Sequence, residues 1–204
     1  MKALITRKVG MTSTIAEDGA VQAVTLLAVD EHTVLQHKTA DKDGYTAVQV
    51  GTGTAKRLSK SVAGHVKNAK VMPKLIREFR LDEIPEELSV GSKISADVFS
   101  VGDSVQATGL TKGKGWAGTI RRHNFHRQRK THGGKGNTRK PGSIGSMYPQ
   151  HILKGTKMAG QLGHDQVTVR NLRVALVDTE LGVIGVTGAV PGPRKGVIIL
   201  KGAK

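Results

Sequence analysis

Residues 111–140 read TKGKGWAGTIRRHNFHRQRKTHGGKGNTRK, and they lie within a 61-residue stretch, residues 104–164, that contains no Asp or Glu. We call residues 104–164 the basic segment, because it carries twelve Lys or Arg side chains together with twelve glycines. A segment with a single sign of charge cannot neutralise itself, and only a polyanion supplies enough compensating charge. The expected partner is therefore a nucleic acid.

The remainder of the chain has the composition of an ordinary globular domain. The formal net charge is +16, and the residues outside the basic segment contribute only +4, from 20 basic and 16 acidic side chains. No cysteine is present, which excludes disulfides and thiolate zinc sites and fits a reducing, cytoplasmic compartment. The apolar runs at residues 3–5 and 197–200 are too short for a signal peptide or a membrane span. We expect no membrane partner.

Both flanks of the basic segment have the pattern of short antiparallel strands, rich in Val, Ile and Thr and bounded by turn residues. The predicted strands are residues 21–29, 33–37, 46–50, 94–99, 167–177, 183–186 and 196–201. Short helices are predicted at residues 59–70 and 117–122. The fold class is therefore mainly β, a small antiparallel barrel or sandwich, of which the barrel is preferred, with one or two short helices.

The basic segment is expected to be a long extended loop inserted between two strands of this barrel. The predicted domains are residues 1–103 with 165–204, which form the barrel, and residues 104–164, which form an RNA-binding extension. A Gly-rich, charged chain with only Trp116, Phe125 and Tyr148 as aromatic anchors is not expected to fold alone. It should order on its partner, and about 30 residues in each direction, at roughly 3.3 Å per residue, could reach tens of ångströms.

The residue types of the basic segment favour backbone contacts over catalysis. Glycines beside lysines let backbone N–H groups and ammonium groups approach an anion closely. Trp116 could stack on an unpaired base or pin the loop to the barrel, and pinning is preferred for Phe125. Acid–base catalysis has no carboxylate here, so the chain is predicted not to be an enzyme and to have no small-molecule substrate.

Metal and cofactor sites are also not expected in the basic segment. His123, His126 and His132 have no acidic or thiolate companions, and the surrounding cations repel a metal ion. The glycines of KGKGWAG, residues 112–118, have the spacing of a dinucleotide-binding turn but lack the acidic residue about 20 positions later that would bind a ribose.

Six ordered blocks of sequence make a more specific case. They are RKVGMT (7–12), EFR (78–80), TKGKGWAGTIRRHNF (111–125), KPGSIG (140–145), KGTKMAGQLG (154–163) and VTGAVPGPRKGVIILK (186–201). In this order and spacing the chain resembles the L-three family of bacterial large-subunit ribosomal proteins. The resemblance implies a barrel on the surface of the large subunit and a loop that runs through rRNA toward the peptidyl transferase centre. It further implies a role in early subunit assembly, with large-subunit rRNA and neighbouring ribosomal proteins as partners in the cytoplasmic ribosome.

The charge pattern and the resemblance together define the expected rRNA-binding residues. They are Lys8, Lys112, Lys114, Trp116, Arg121, Arg122, His123, Arg127, Arg129, Lys130, His132, Lys135, Arg139, Lys140, Gly142, Ser143, Gly145, His151, Lys154, Lys157 and Met158. The resemblance implies, by position, that residues 112–123 would line the base of the loop and that residues 140–145 and 154–160 would flank its innermost end. An architectural DNA-binding protein is the alternative, because it has the same electrostatics. An RNA-processing enzyme would need clustered carboxylates or a metal in the basic segment, which the sequence lacks.

Overall fold

The chain divides into two compact units, and the computed structural model describes residues 1–15, 19–85 and 88–203. The first unit, which we call the sheet unit, comprises residues 1–110 together with the chain from Gln166 onward. The second, which we call the extension unit, is Thr111–Asp165.

Six strands of the sheet unit form a closed antiparallel barrel. They are β1 (Ala3–Ile15), β2 (Val21–Val29), β7 (Ser104–Leu110), β10 (Gln166–Asp178), β11 (Val183–Thr187) and β12 (Val197–Gly202). Their order is β1-β12-β7-β10-β11-β2, and β2 also pairs with β1. Every strand therefore has a hydrogen-bonded neighbour on both sides, which removes the exposed edges that promote unwanted pairing.

Alternation of side chains explains which face of these strands is buried. In β7, Val105 and Ala107 are fully buried and are separated by the half-buried Gln106, and in β12 Ile198 and Leu200 alternate in the same way. This is the period of two that places successive side chains on opposite faces of a sheet. Gly185 of β11 lies at a tightly packed position, since a Cβ there would be 2.8 Å from the Leu176 side chain.

A second, four-stranded sheet shares the core of the barrel. Its strands are β3 (His32–Lys38), β4 (Ala47–Thr54), β5 (Pro73–Arg80) and β6 (Lys93–Ile94), in the order β5-β4-β3-β6. Val48 and Phe79 of this sheet belong to the same buried cluster as Leu4, Leu27 and Ile198 of the barrel. A continuous apolar core of this kind makes the two sheets one cooperative unit.

Short helices connect the strands of the second sheet. Helix α1 (Ala40–Asp43) follows β3, and helix α2 (Lys60–His65) with a 3-10 turn (Lys67–Ala69) lies between β4 and β5. The Ser59 hydroxyl accepts a hydrogen bond from the Val62 N–H, so Ser59 caps α2. Leu35 packs with Val66 and Ala69 in a small cluster beneath this connection.

His32 joins the barrel to the second sheet. It is fully buried, and its Nε2 accepts a hydrogen bond of 2.8 Å from the backbone N–H of Ile5 in β1. Burial lowers the pKa of His32, because an imidazolium in the core would lose its hydration. The neutral ring is therefore the form that the fold stabilises.

The mainly β prediction is confirmed, with differences in individual elements. The strands predicted at residues 21–29, 33–37, 46–50, 167–177, 183–186 and 196–201 are present. The strand predicted at 94–99 is wrong, because only Lys93–Ile94 pairs and a 3-10 turn (Ala96–Val98) follows. The sequence did not predict β1, β5 or β7. The helix predicted at 59–70 is divided in two, and the described residues contain three α-helices rather than one or two.

The extension unit contains little regular structure. Strands β8 (Trp116–Ala117) and β9 (Gly160–Gln161) pair with each other, and helix α3 (Thr119–His123) follows β8. Residues 104–110, which the charge pattern assigned to the basic segment, form β7 of the barrel. The structural boundary therefore lies at Leu110 rather than at Ser104. In the described part of the chain, no helix has the length and apolarity required for a membrane span.

Candidate nucleic-acid interface

Backbone hydrogen bonds hold the two ends of the extension unit together. The N–H of Lys114 donates to the Leu162 carbonyl at 2.8 Å, and the N–H of Leu162 donates to the Gly115 carbonyl at 3.0 Å. Trp116 then lies opposite Gln161 in the β8–β9 pair. This ladder, which we call the root, brings together Lys114 and Trp116, two of the residues predicted to bind rRNA. The Trp116 side chain is 78% exposed, so its ring is accessible to a ligand.

Two glycines of the root allow the strands to approach closely. Gly163 has a φ of +74°, and a Cβ there would lie 2.2 Å from the Lys112 carbonyl oxygen. A Cβ on Gly160 would lie 2.8 Å from the Arg122 Nη1 atom. At Gly163 the close atom belongs to the backbone and the φ is positive, so only glycine fits there without strain. At Gly160 a Cβ would require the end of the flexible Arg122 side chain to move.

Helix α3 packs against the returning chain through Met158. Arg122 Nη1 donates to the Met158 carbonyl at 2.8 Å, and His123 Nε2 lies 3.1 Å from the same oxygen, to which it can only donate. Every residue of the extension unit is described, and only Ala117, Thr119 and Gly160 are buried. The structure thus brings three predicted site residues together, but in a contact that holds the root closed.

The remaining cations of the extension unit are exposed and have no carboxylate partner in the described part of the chain. Arg121, Arg127, Arg129, Lys130 and Lys135 are all exposed. The other exposed cations of the unit are Lys112, Lys114, Arg139, Lys140, Lys154 and Lys157. The ion pairs found among the described residues all lie in the sheet unit, where they join Lys2 to Asp103, Arg7 to Asp30, Lys38 to Asp43 and Lys93 to Glu31.

In the sheet unit, ion pairs with nearby carboxylates compensate the charge of several cations. The Lys2 ammonium is hydrogen-bonded to Asp103 at 2.8 Å and, with the Ser100 N–H, lowers the pKa of that carboxyl. Lys38 acts on Asp43 in the same way. Residues 104–164 contain no carboxylate that could act on the cations of residues 112–157 in this way. Their compensating charge has to come from outside that stretch.

The middle of the extension unit forms a small basic concavity. The N–H of Gln128 donates to the Thr138 carbonyl at 3.2 Å, which closes a loop around residues 129–137. A cavity of about 430 Å³ is lined there by His126, Arg127, Gln128, Lys130 and Thr138. The predicted residue His132, like Lys135, lies in the closed loop and is exposed. A concave surface lined by cations concentrates positive potential and favours an anionic ligand.

Residues 141–153, which we call the tip, contain a different kind of surface. The predicted residues Gly142, Ser143, Gly145 and His151 line a concavity of about 520 Å³. Sequence reasoning missed Met147 and Tyr148 here, whose side chains are 86% and 84% exposed. The signal that could have identified them is the absence of Lys, Arg, Asp and Glu over thirteen consecutive residues in the middle of the basic segment.

Lys8 belongs to the sheet unit and makes a defined contact there. Its Nζ atom donates to the Val190 carbonyl at 2.6 Å, and its backbone pairs with Lys195 and Gly196.

The sequence reasoning also passed over a second acid-free run, residues 44–77. Seven cations occupy it, namely Lys56, Arg57, Lys60, Lys67, Lys70, Lys74 and Arg77, and all seven are exposed. A search of the sequence for stretches that contain cations but no Asp or Glu would have identified this run.

The arrangement has the chemistry of phosphate binding. Within residues 1–15, 19–85 and 88–203, no group of three or more His, Asp or Glu side chains is placed to hold a metal ion. The exposed guanidinium and ammonium groups can donate hydrogen bonds but cannot accept a proton at neutral pH. Such groups bind phosphate oxygens and provide no general base.

The chain is similar to known proteins over almost its whole length. The family model described as Ribosomal protein L3 matches residues 43–183. A protein of Heliobacterium modesticaldum named large ribosomal subunit protein uL3 is 45% identical over 203 residues, covering 98% of this chain and 96% of the relative. Proteins with the same name from Pelotomaculum thermopropionicum and Bacillus thuringiensis are 43% and 42% identical, and each alignment covers 99% of this chain and 97% of the relative.

Proposed function

Because the chain belongs to the ribosomal protein L3 family, we propose that it binds large-subunit rRNA directly through the exposed cations of the extension unit. Family membership makes it a structural protein of the large ribosomal subunit in the cytoplasmic ribosome, and not an enzyme. Its expected partners are the rRNA and the ribosomal proteins beside it.

One observation carries the proposal of direct rRNA binding. Apart from Arg122, the cations of the extension unit are exposed and have no carboxylate partner among the described residues, whereas cations of the sheet unit pair with Asp103, Asp43 and Glu31. Phosphates along an RNA backbone supply compensating charge at regular intervals, and the ions released on binding favour association. The exposed cations of residues 44–77 are a second surface on which the same chemistry can operate.

The finer features of this function are those that the family resemblance implies, and the division into two units supports them. We propose that the barrel stays on the subunit surface while the extension unit acts as the extended loop, reaching toward the peptidyl transferase centre. Only Ala117, Thr119 and Gly160 are buried in that unit, so most of its surface is available for RNA. Because RNA must fold around such a loop, the protein would bind early in assembly.

Salt titration with a competitor tests direct rRNA binding. The full chain is bound to in vitro transcribed large-subunit rRNA, and the affinity is measured as salt rises from about 50 to about 200 mM. If about eight phosphates are neutralised, we expect the affinity to fall by around ten-thousandfold. Duplex DNA should compete weakly. A shallow salt dependence would contradict the proposal, and equal or tighter binding of duplex DNA would favour the architectural DNA-binding alternative.

Directed cleavage tests the reach of the loop. The chain contains no cysteine, so Ser146→Cys in the tip provides a single attachment point for an iron chelate that cleaves nearby RNA. After assembly into large subunits, we expect cleavage of rRNA at the peptidyl transferase centre. Ser61→Cys, on helix α2 of the sheet unit, is the matched control and should cleave elsewhere. Cleavage of the same nucleotides from both positions would contradict the proposed reach.

A further inference from the structure

The tip differs in chemistry from the rest of the extension unit. Residues 141–153, PGSIGSMYPQHIL, contain no Lys, Arg, Asp or Glu, although the preceding thirty residues contain ten cations. Arg139 and Lys140 precede the tip, and Lys154 and Lys157 follow it. A surface that binds RNA only through phosphates gains nothing from an uncharged interval of this length. The tip therefore needs another explanation.

The apolar side chains of the tip are turned outward. Met147 is 86% exposed, Tyr148 is 84% exposed and Leu153 is 62% exposed. Ile144 and Ile152 line the concavity of about 520 Å³ on which the tip is built. Monomeric proteins rarely expose adjacent large apolar side chains unless a partner covers them. An aromatic ring in this position offers both of its faces to a ligand.

The backbone of the tip is also open. Among the described residues, no N–H of residues 141–152 donates to a backbone carbonyl. The contacts that shape this stretch are local, such as the hydrogen bond of 2.8 Å from the Ser143 hydroxyl to the Gly145 carbonyl. These exposed N–H groups can donate to base edges and phosphates in place of water. The same ligand could satisfy the backbone and cover the apolar side chains.

We propose that the tip binds unpaired bases of rRNA, with Tyr148 as the ring on which a base stacks. The inference rests on the proposed function, because it takes rRNA as the ligand of the extension unit. Charge complementarity selects the occupant: the cations at both ends of the tip bind phosphates, and between phosphates a nucleic acid presents flat apolar bases. A neutral apolar protein surface would not match the flanking Arg139, Lys140, Lys154 and Lys157.

Two kinds of contact then act in one loop and differ in their response to salt. Binding by the flanking cations weakens as salt rises, because each neutralised phosphate releases counterions. Stacking of an uncharged ring releases none, so it changes the affinity without changing the slope of log affinity against log salt. This difference separates the proposal about Tyr148 from the proposal that the extension unit binds rRNA.

Tyrosine substitutions in the full chain test the proposal, with in vitro transcribed large-subunit rRNA as the probe. We expect Tyr148→Ala to lower the affinity by about 5- to 100-fold at every salt concentration with an unchanged slope, the range typical of losing one stacked base. Tyr148→Phe should keep the affinity, because the ring remains. Tyr148→Leu should behave like alanine, since it keeps apolar area but has no flat face.

Controls distinguish the possible failures. Leu181→Ala removes a side chain that is 77% exposed in the sheet unit and should leave the affinity unchanged. A wild-type affinity with little salt dependence would reject the proposed function itself. With a steep wild-type slope, an unchanged affinity of Tyr148→Ala would overturn only the stacking proposal and would point to a protein partner for the tip. Wild-type rRNA affinity of Tyr148→Leu would also overturn the stacking proposal, because burial of an apolar side chain would then be enough for binding.

Discussion

At the scale of single residues, neighbouring arginines of helix α3 have different environments. Arg122 donates to the Met158 carbonyl at 2.8 Å, whereas Arg121 is exposed and makes no contact with a carboxylate. The sequence alone does not distinguish the two arginines, because both lie in one run of cations. We therefore expect Arg122 to hold the root closed and Arg121 to contact RNA.

Replacement of each arginine by alanine should separate these tasks. We expect Arg121→Ala to reduce the magnitude of the salt slope of rRNA binding by about 0.7 to 0.9, as one phosphate contact is lost, with no local loosening. Arg122→Ala should accelerate amide exchange at residues 158–162, because a hydrogen bond from a charged donor is removed. Identical behaviour of the two variants would contradict the assignment.

Gly163 tests the packing of the root. Alanine there must adopt a φ of +74° and place its Cβ 2.2 Å from the Lys112 carbonyl oxygen. We expect Gly163→Ala to weaken the root by about 2 kcal/mol or more, measured as faster amide exchange at Lys114 and Leu162. Gly113→Ala is the matched control, since its Cβ would lie 3.8 Å from the His164 Cβ, an ordinary contact. Equal exchange in both variants would be the contrary result.

His32 should make the stability of the sheet unit depend on pH. Burial lowers its pKa, so the unfolded chain takes up a proton near the ordinary value of 6.5 and the folded chain only at lower pH. The free energy of unfolding should therefore be highest above pH 6.5 and should fall as the pH drops below it. Carboxylates such as Asp103, whose pKa is also lowered, add a loss that begins only near pH 3.8.

Urea unfolding at a series of pH values provides the measurement for His32. The matched variant is His32→Gln, whose side-chain oxygen can still accept from the Ile5 N–H but does not titrate. We expect the variant to lose much of the decline below pH 6.5 that the wild type shows. The same decline in both proteins would mean that groups other than His32 cause it.

At the scale of elements, the sequence predicted strands where apolar residues dominate and failed where charges interrupt them. Residues 21–29 were predicted correctly because Val and Leu fill both faces of β2. Strand β5 was missed because Lys74, Arg77, Glu78 and Arg80 obscure its pattern, although Phe79 is buried. Pairing with β4 supplies the missing information, and pairing partners are distant in sequence.

Strand β7 was missed for a related reason. Its residues carry no charge, and the sequence assigned them to the basic segment because no acidic residue separates them from it. Alternation of Val105, Ala107 and Gly109 on the buried face was the stronger signal. The predicted strand at 94–99 failed because Asp97, which accepts a hydrogen bond from the Ser95 hydroxyl, favours a local turn.

Amide exchange should reveal the difference between the elements in the free protein. We expect protection of β7 and of the paired amides at residues 114 and 162, since both take part in hydrogen-bonded ladders. Residues 141–152, whose N–H groups have no backbone acceptor among the described residues, should exchange rapidly and become protected on rRNA. Strong protection of residues 141–152 without RNA would show that the tip is ordered by itself.

At the scale of the whole molecule, charge composition alone predicts which part of the chain contacts rRNA. Exposed cations without carboxylate partners are a property of the sequence, since no Asp or Glu occurs between Asp103 and Asp165. The roles of Arg122, His123 and Met158 in closing the root depend on contacts across 35 residues or more and could not be predicted from composition. The tip could have been predicted, because its lack of charge is visible in the sequence.

The central claim is that uncompensated cations of the extension unit bind rRNA, and two double variants of equal charge change test it most directly. Arg127→Gln with Lys130→Gln removes two cations that line one cavity, and Lys2→Gln with Lys93→Gln removes two that are paired with carboxylates. The measurement is the slope of log affinity against log salt for in vitro transcribed large-subunit rRNA. We expect the first pair to reduce the magnitude of the slope by about 1.4 to 1.8 and the second to leave it unchanged. Equal reductions from both pairs would contradict the claim.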